Sequence, residues 1–249
     1  MKKKVWLILV VMFGAAWLLQ TPLQAAETAV ENKKEIVVLL HGLGRSNVAM
    51  WRLANLLEDA GYDVKQVGYS SFNTTTPEVV SDITKQIDDC CVNQNRTVHF
   101  VGHSLGGLLI RAYLQDNRLQ HLGRTVLIGT PNNGTDIADR FRGNCLVEFL
   151  MPMATALGTD DNSLPKKLDA PYYTIGVIAG VTESDSNEDY LPGRDDGLVP
   201  VESTKLEGMT DFIEVNSGHS MMRYNNEVAE QTIYFLKNGQ FNKVNSDKL

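Results

Sequence analysis

From Glu35 onward the apolar positions alternate between two rhythms. Short unbroken runs, of the kind a parallel sheet buries on both faces, are followed by stretches in which apolar residues recur every three or four positions. Ile36 to Leu40 is the first run and ends in HGLGR, and Met50 to Ala60 then has helical spacing that stops at Gly61. Asp63 to Tyr69 reads as a short strand. A second helix opens near Pro77 and sets Val79, Val80, Ile83 and Ile87 on one face as far as about Cys91. A strand at Thr97 to Val101, a helix at Leu105 to Gln115 and a strand at Thr125 to Ile128 continue the series. Asp136 to Leu150 reads as helical, and the polar, proline-containing stretch to Ala170 completes an insertion over about 135–170. Strands at Tyr172 to Ile178 and Phe212 to Val215, then a helix at Met222 to Leu236, close the pattern. Elements alternating at these lengths predict an α/β fold, a mostly parallel sheet with helices on both faces. Ligands in such sheets bind outside the carboxyl ends of the strands.

Ahead of the series stand Lys2, Lys3 and Lys4, an apolar run from Val5 to Leu19, and the small-residue stretch Gln24, Ala25, Ala26. This is the pattern of a secretory signal peptide over residues 1–26, with a single domain over 27–249. The run is shorter than the roughly 20 residues of a spanning helix, which favours cleavage over the alternative, a retained anchor. The expected location is therefore the periplasm or the exterior. Lys and Arg number 23 against 30 Asp and Glu, a formal charge of −7 that becomes −10 without the leader's three lysines. That balance argues against nucleic acid and anionic headgroups as general partners. The three cysteines, Cys90, Cys91 and Cys145, include no CxxC pair of metal-ligand spacing. They read as buried small apolar residues, and a bridge from Cys90 or Cys91 to Cys145 is the pairing to test in an oxidising compartment.

The stretch VHFVGHSLGGLLIRAYL, Val98 to Leu114, runs from a strand through Gly102, Ser104 and Gly106 into a helix. A lone GxSxG is weak, but between strand and helix it is the setting of a strained nucleophile elbow. Glycines on either side leave room for the bend, and the helix start favours developing negative charge near Ser104.

GHSLGG, with HGLGR upstream and GTPNNG, DDGLVP and SGHS downstream, resembles the α/β-hydrolase superfamily and within it bacterial lipases and esterases, over roughly Glu35 to Lys237. The resemblance implies an α/β-hydrolase fold whose 135–170 insertion is a small cap. It also implies a serine carboxylester hydrolase acting through an acyl-enzyme, on a small-molecule or lipid acyl ester, without cofactor or metal. An acyltransferase, thioesterase or amidase on the same triad is the alternative, and a non-catalytic binding domain the reading from another class. Ser104 would be the nucleophile. Of the five histidines, His219 in SGHS holds the family's position for the base, leaving His41, His99, His103 and His121 to packing or loop roles. The acid would be Asp196, before GLVP, with Asp195 as runner-up among Glu183, Asp185, Glu188 and Asp189. Asp185, Asn187 and Asp189 alternate as in a calcium loop, but Tyr190 stands where that loop needs glycine. The backbone N–H groups of Leu43 and Leu105 would form the oxyanion hole. In the cap, Phe141, Leu146, Val147, Phe149, Leu150, Met151, Met153 and Leu157 could line an acyl pocket, form an interfacial lid, or pack the cap onto the domain. Membrane contact would come through that cap or an uncleaved leader, and Arg140 and Arg142 are the local pair of bases.

Overall fold

The computed structural model describes residues 33–182 and 191–243. The expected leader over 1–26 lies outside them, as do Glu183, Asp185, Asn187, Glu188, Asp189 and Tyr190. Strands β1 (Ile36–Leu40), β2 (Asp63–Val67), β3 (Val98–His103), β4 (Leu122–Ile128), β5 (Ile175–Val181) and β6 (Asp211–Asn216) form one sheet. Their order is β2-β1-β3-β4-β5-β6, with every neighbouring pair parallel. The helices are α1 (Trp51–Asp59), α2 (Thr76–Cys90), α3 (Leu105–Asp116), α4 (Asp136–Arg140), α5 (Cys145–Leu150), α6 (Pro152–Thr155), α7 (Val201–Thr204) and α8 (Asn226–Asn238).

Alternate side chains of one strand serve opposite faces of the sheet. Ile36, Val38 and Leu40 pack with Ile83 and Ile87 of α2 and Leu108 and Leu109 of α3. Val37 and Leu39 pack with Leu53 and Leu57 of α1 and Phe235 and Leu236 of α8. Covered on both sides, β1 has no solvent face, which is why its sequence is uniformly apolar instead of alternating.

Local chemistry sets the helix ends. At α2 the Thr75 backbone N–H donates to Glu78 Oε2 at 2.8 Å, with Pro77 in the first turn. The closing helix α8 starts at Asn226, not at Met222 as its periodicity suggests. Asn225 accepts from the amides of Glu227 and Val228, and Met222–Tyr224 forms a separate 3-10 turn. The single helix expected over Asp136 to Leu150 is broken into α4 and α5. Gly143 there takes a φ of +79°, and the Asn144 side chain caps α5 by accepting from the amides of Leu146 and Val147.

The cysteine expectations fail in two respects. Cys90 and Cys91 are bridged to each other, with Cα atoms 3.7 Å apart, and Cys145 is unpaired and exposed on the cap. Only Cys91 is fully buried. Adjacent half-cystines lie within reach whatever the tertiary fold does, whereas a bridge to Cys145 requires two distant segments to meet.

Candidate active site

The chain leaves β3 at its carboxyl end, bends sharply at Ser104 and enters α3. Ser104 has φ 56° and ψ −124°, a conformation that costs a non-glycine residue about 1–3 kcal/mol and persists only when its surroundings over-determine it. Here they do. The Ser104 amide donates to the Ile128 carbonyl at 2.9 Å, and its carbonyl accepts from the Gly107 amide at 3.0 Å. Glycine at both flanking positions is a matter of space: a Cβ on Gly102 would lie 2.6 Å from the Gly107 backbone, and one on Gly106 only 2.5 Å from the carbonyl oxygens of Leu40 and His41.

His219 lies in the loop after β6, and its amide donates to the Asp196 carbonyl at 2.7 Å. Its Nε2 is 3.0 Å from Ser104 Oγ and its Nδ1 is 2.7 Å from Asp196 Oδ2. A carboxylate can only accept, so Nδ1 bears the proton and Nε2 is left to accept from the serine hydroxyl. Asp196 is buried in the turn that follows β5. The amides of Leu198 and Val199 donate to its other oxygen at 3.0 and 2.8 Å, which fixes the plane of the carboxyl group. Asp195 has a different place. Its side chain accepts from the Gly197 amide and its carbonyl from the Thr182 amide, so it braces the turn without reaching His219.

The loop after β1 lies against the serine, since a Cβ on Gly42 would be 3.1 Å from that of Ser104. Leu43 follows on this loop and Leu105 begins α3, where the first amides have no partner within the helix. The loop is held by His41, whose ring stacks on Tyr69 with centroids 4.1 Å apart and whose Nδ1–H donates to the Gly42 carbonyl at 2.8 Å.

The other histidines hold structure. His103 donates from Nε2 to the His219 carbonyl at 2.9 Å, and complete burial next to His219 holds it well below the usual imidazole range, so it stays neutral. His99 receives the Arg124 amide on Nδ1 and meets Glu35 through Nε2. His121 sits in the turn before β4. Sequence reasoning missed the positioning part of His103, which only the proximity of its ring to the His219 backbone reveals.

Ser104 and His219 open into a cavity of about 200 Å³ whose walls include Ile137, Phe141, Leu157, Leu198 and Val199. The expected cap residues therefore divide. Phe141 and Leu157 reach the cavity, Met153 is buried against the body, and Leu146, Phe149 and Leu150 are exposed. Arg142 is engaged by Asp139 and Asp160 and lies apart from the cavity, which is lined instead by Arg45. That residue stands in HGLGR, and the sequence reading gave it no part. Among the described residues no three His, Cys, Asp or Glu side chains gather closely enough to hold a metal ion.

Residues 36–173 match the model of the palmitoyl protein thioesterase family. No curated protein matches the chain. Among solved structures, the mature form of a Bacillus licheniformis lipase aligns at 19% identity and a TM-score of 0.61, over 83% of this chain and 92% of its own. A metagenomic carboxyl esterase aligns at 16% and 0.56, over 76% and 66%. A Legionella pneumophila phospholipase aligns at 14% and 0.53, over 69% and 46%. These are likenesses of fold, and the fold is that of the α/β-hydrolases implied by the sequence motifs.

Proposed function

The chain belongs to the palmitoyl protein thioesterase family and is a hydrolase, and on that premise we propose that it cleaves acyl esters or thioesters through a covalent acyl-serine. The supporting observation is the unbroken line from Ser104 Oγ through the His219 ring to Asp196 Oδ2, at 3.0 and 2.7 Å, opening into an apolar cavity. His219 Nε2 takes the hydroxyl proton as Oγ attacks the acyl carbon, and the carbonyl electron pair moves onto oxygen. The amides of Leu43 and Leu105 donate to that oxyanion. On collapse the bond to the leaving group breaks, and His219 returns the proton to the departing alkoxide or thiolate. Water then gives a proton to His219 and attacks the acyl-serine, and Ser104 leaves with that proton. Asp196 holds the Nδ1–H tautomer and stabilises the imidazolium formed in each half-reaction. Neutral His103 keeps a second positive charge away from that imidazolium while fixing its backbone.

Hydrolysis of carboxylic esters is the principal reading, and the family match favours thioesters as a second. The basic-then-apolar leader and the oxidised Cys90–Cys91 pair support an exported enzyme, periplasmic or secreted, with retention by the leader as the alternative. Exposed Leu146, Phe149 and Leu150 are the cap residues suited to touching a lipid surface. A fluorophosphonate should label the wild-type chain and not Ser104→Ala, and matched butanoyl esters and thioesters should both be cleaved by the wild type. Undiminished labelling or turnover in Ser104→Ala would overturn the mechanism, and the ratio of the two rates ranks the substrate classes.

A further inference from the structure

Of the described side chains that line the Ser104 cavity, one carries a permanent charge, and it is Arg45. It is exposed and lies two residues beyond Leu43 on the loop that touches the serine. His103 and Arg223 lie within reach of its charge. Arg223 donates to the backbone carbonyls of Ser220 at 3.0 Å and Ala49 at 3.1 Å, so its fork is held by neutral acceptors. Among the described residues no carboxylate pairs with either guanidinium, whereas Arg96, Arg142 and Arg194 all find one. In a chain of net charge −7, two cations with no acid partner among the described residues add positive charge on the Arg45 side of the cavity.

We propose that Arg45, backed by Arg223, is an anion subsite for the leaving group. The substrate is then an ester or thioester whose alcohol or thiol portion carries a carboxylate or phosphate, recognised by a guanidinium that suits both. The acyl portion belongs to the other wall, because Ile137, Phe141 and Leu157 offer an anion no hydrogen bond and would strip its water. Arg45, being exposed, meets the anion while both remain partly hydrated. The subsite rests on the acyl-serine reading above.

The test uses two substrate pairs below micelle-forming concentrations. One sets 4-nitro-3-butanoyloxybenzoate, whose leaving group bears a carboxylate, against neutral 4-nitrophenyl butanoate. The other sets butanoyl-coenzyme A, whose thiol bears phosphates, against neutral S-butanoyl-N-acetylcysteamine. The readout is the ratio of kcat/KM for the anionic over the neutral member. Arg45→Gln should lower that ratio about three- to fivefold, as befits an exposed charge pair. Arg45→Lys should retain most of the ratio. Lys85→Gln, which removes the same charge from an exposed position on α2, should leave it unchanged. Added salt should compress the wild-type ratio. The pair that responds to Arg45 names the anion. Ratios in both pairs that are equal for wild type and Arg45→Gln would overturn the subsite with the acyl-serine reading intact; a wild type inert toward every neutral member would overturn that reading and the subsite with it.

Discussion

The elbow at Ser104 and the cap between Thr135 and Ala170 border one cavity but are held by different contacts. Around the serine the contacts are backbone to backbone. The amide of Ser104 is fixed on β4, and Gly106 leaves no room for a methyl group beneath the carbonyls of Leu40 and His41. The cap is built from the three short helices α4, α5 and α6, on which Leu146 and Phe149 are 66% and 69% exposed. Its attachment combines apolar side chains, Met153, Leu157 and Leu164 among them, with hydrogen bonds to the body such as the Asn73 amide to the Leu150 carbonyl and the Arg111 guanidinium to the carbonyls of Leu168 and Asp169. Chemistry that depends on positions good to a fraction of an ångström sits on the buried partner, and the wall that meets the variable part of a substrate sits on the more exposed one.

The largest effect should follow substitution on the buried side. Ser104→Ala or His219→Ala should lower kcat for a nitrophenyl ester by about 10⁴-fold or more, and the double variant should lose little further, because the two act as a unit. Asp196→Asn should cost about 10³- to 10⁴-fold, through the wrong imidazole tautomer, and Asp195→Asn no more than about tenfold. Comparable losses at the two acids would remove the assignment. Stability gives the next contrast. Gly106→Ala drives a methyl group into two carbonyls and should cost about 3 kcal/mol or prevent folding, whereas Gly143→Ala meets open space and should cost about 1 kcal/mol for its positive φ, both read from denaturant titrations.

Acid should act through the sheet and its loops. Burial lowers His41, His99 and His103 below the usual imidazole value, so the unfolded chain binds the extra protons. Stability is full above about pH 6.5 and declines as pH falls below it, each histidine adding at most about 1.4 kcal/mol per pH unit. Calorimetry at pH 5 and 7.5 should show the lower Tm at pH 5. A flat profile would mean that these rings are not held neutral. The smallest effect belongs to the cap surface. Phe149→Ser should shift stability by no more than about 0.5 kcal/mol, against about 2 kcal/mol or more for Leu157→Ala, which empties a packed position.

The same division decided what could be read from the sequence. Strands such as Ile36 to Leu40 followed from their apolar runs, because burial on both faces selects them, whereas β2, Asp63–Val67, is only partly buried and carries a weaker signal. Ser104 and Asp196, named like His219 from motif and chain order, each lie within hydrogen-bond distance of the His219 ring. The break at Gly143 and Asn144 was legible as punctuation but lost within an apolar periodicity. The bridge between Cys90 and Cys91 joins neighbours where a partner far along the chain was expected, and Arg45 was passed over although HGLGR sets it two residues beyond Leu43. Such features depend on which surfaces meet, and one-dimensional spacing does not record that.

The bridge between Cys90 and Cys91 has a thermodynamic corollary. A crosslink restricts the unfolded chain more the longer the loop it encloses, growing with the logarithm of its length, and this one, with a sequence separation of one, encloses none. Its reduction should leave the melting of the whole fold nearly untouched and free only the backbone where α2 gives way to the turn at Val92–Gln94. The oxidised pair is thus a local clasp on a helix exit, and thermal resistance has to come from the sandwiched sheet.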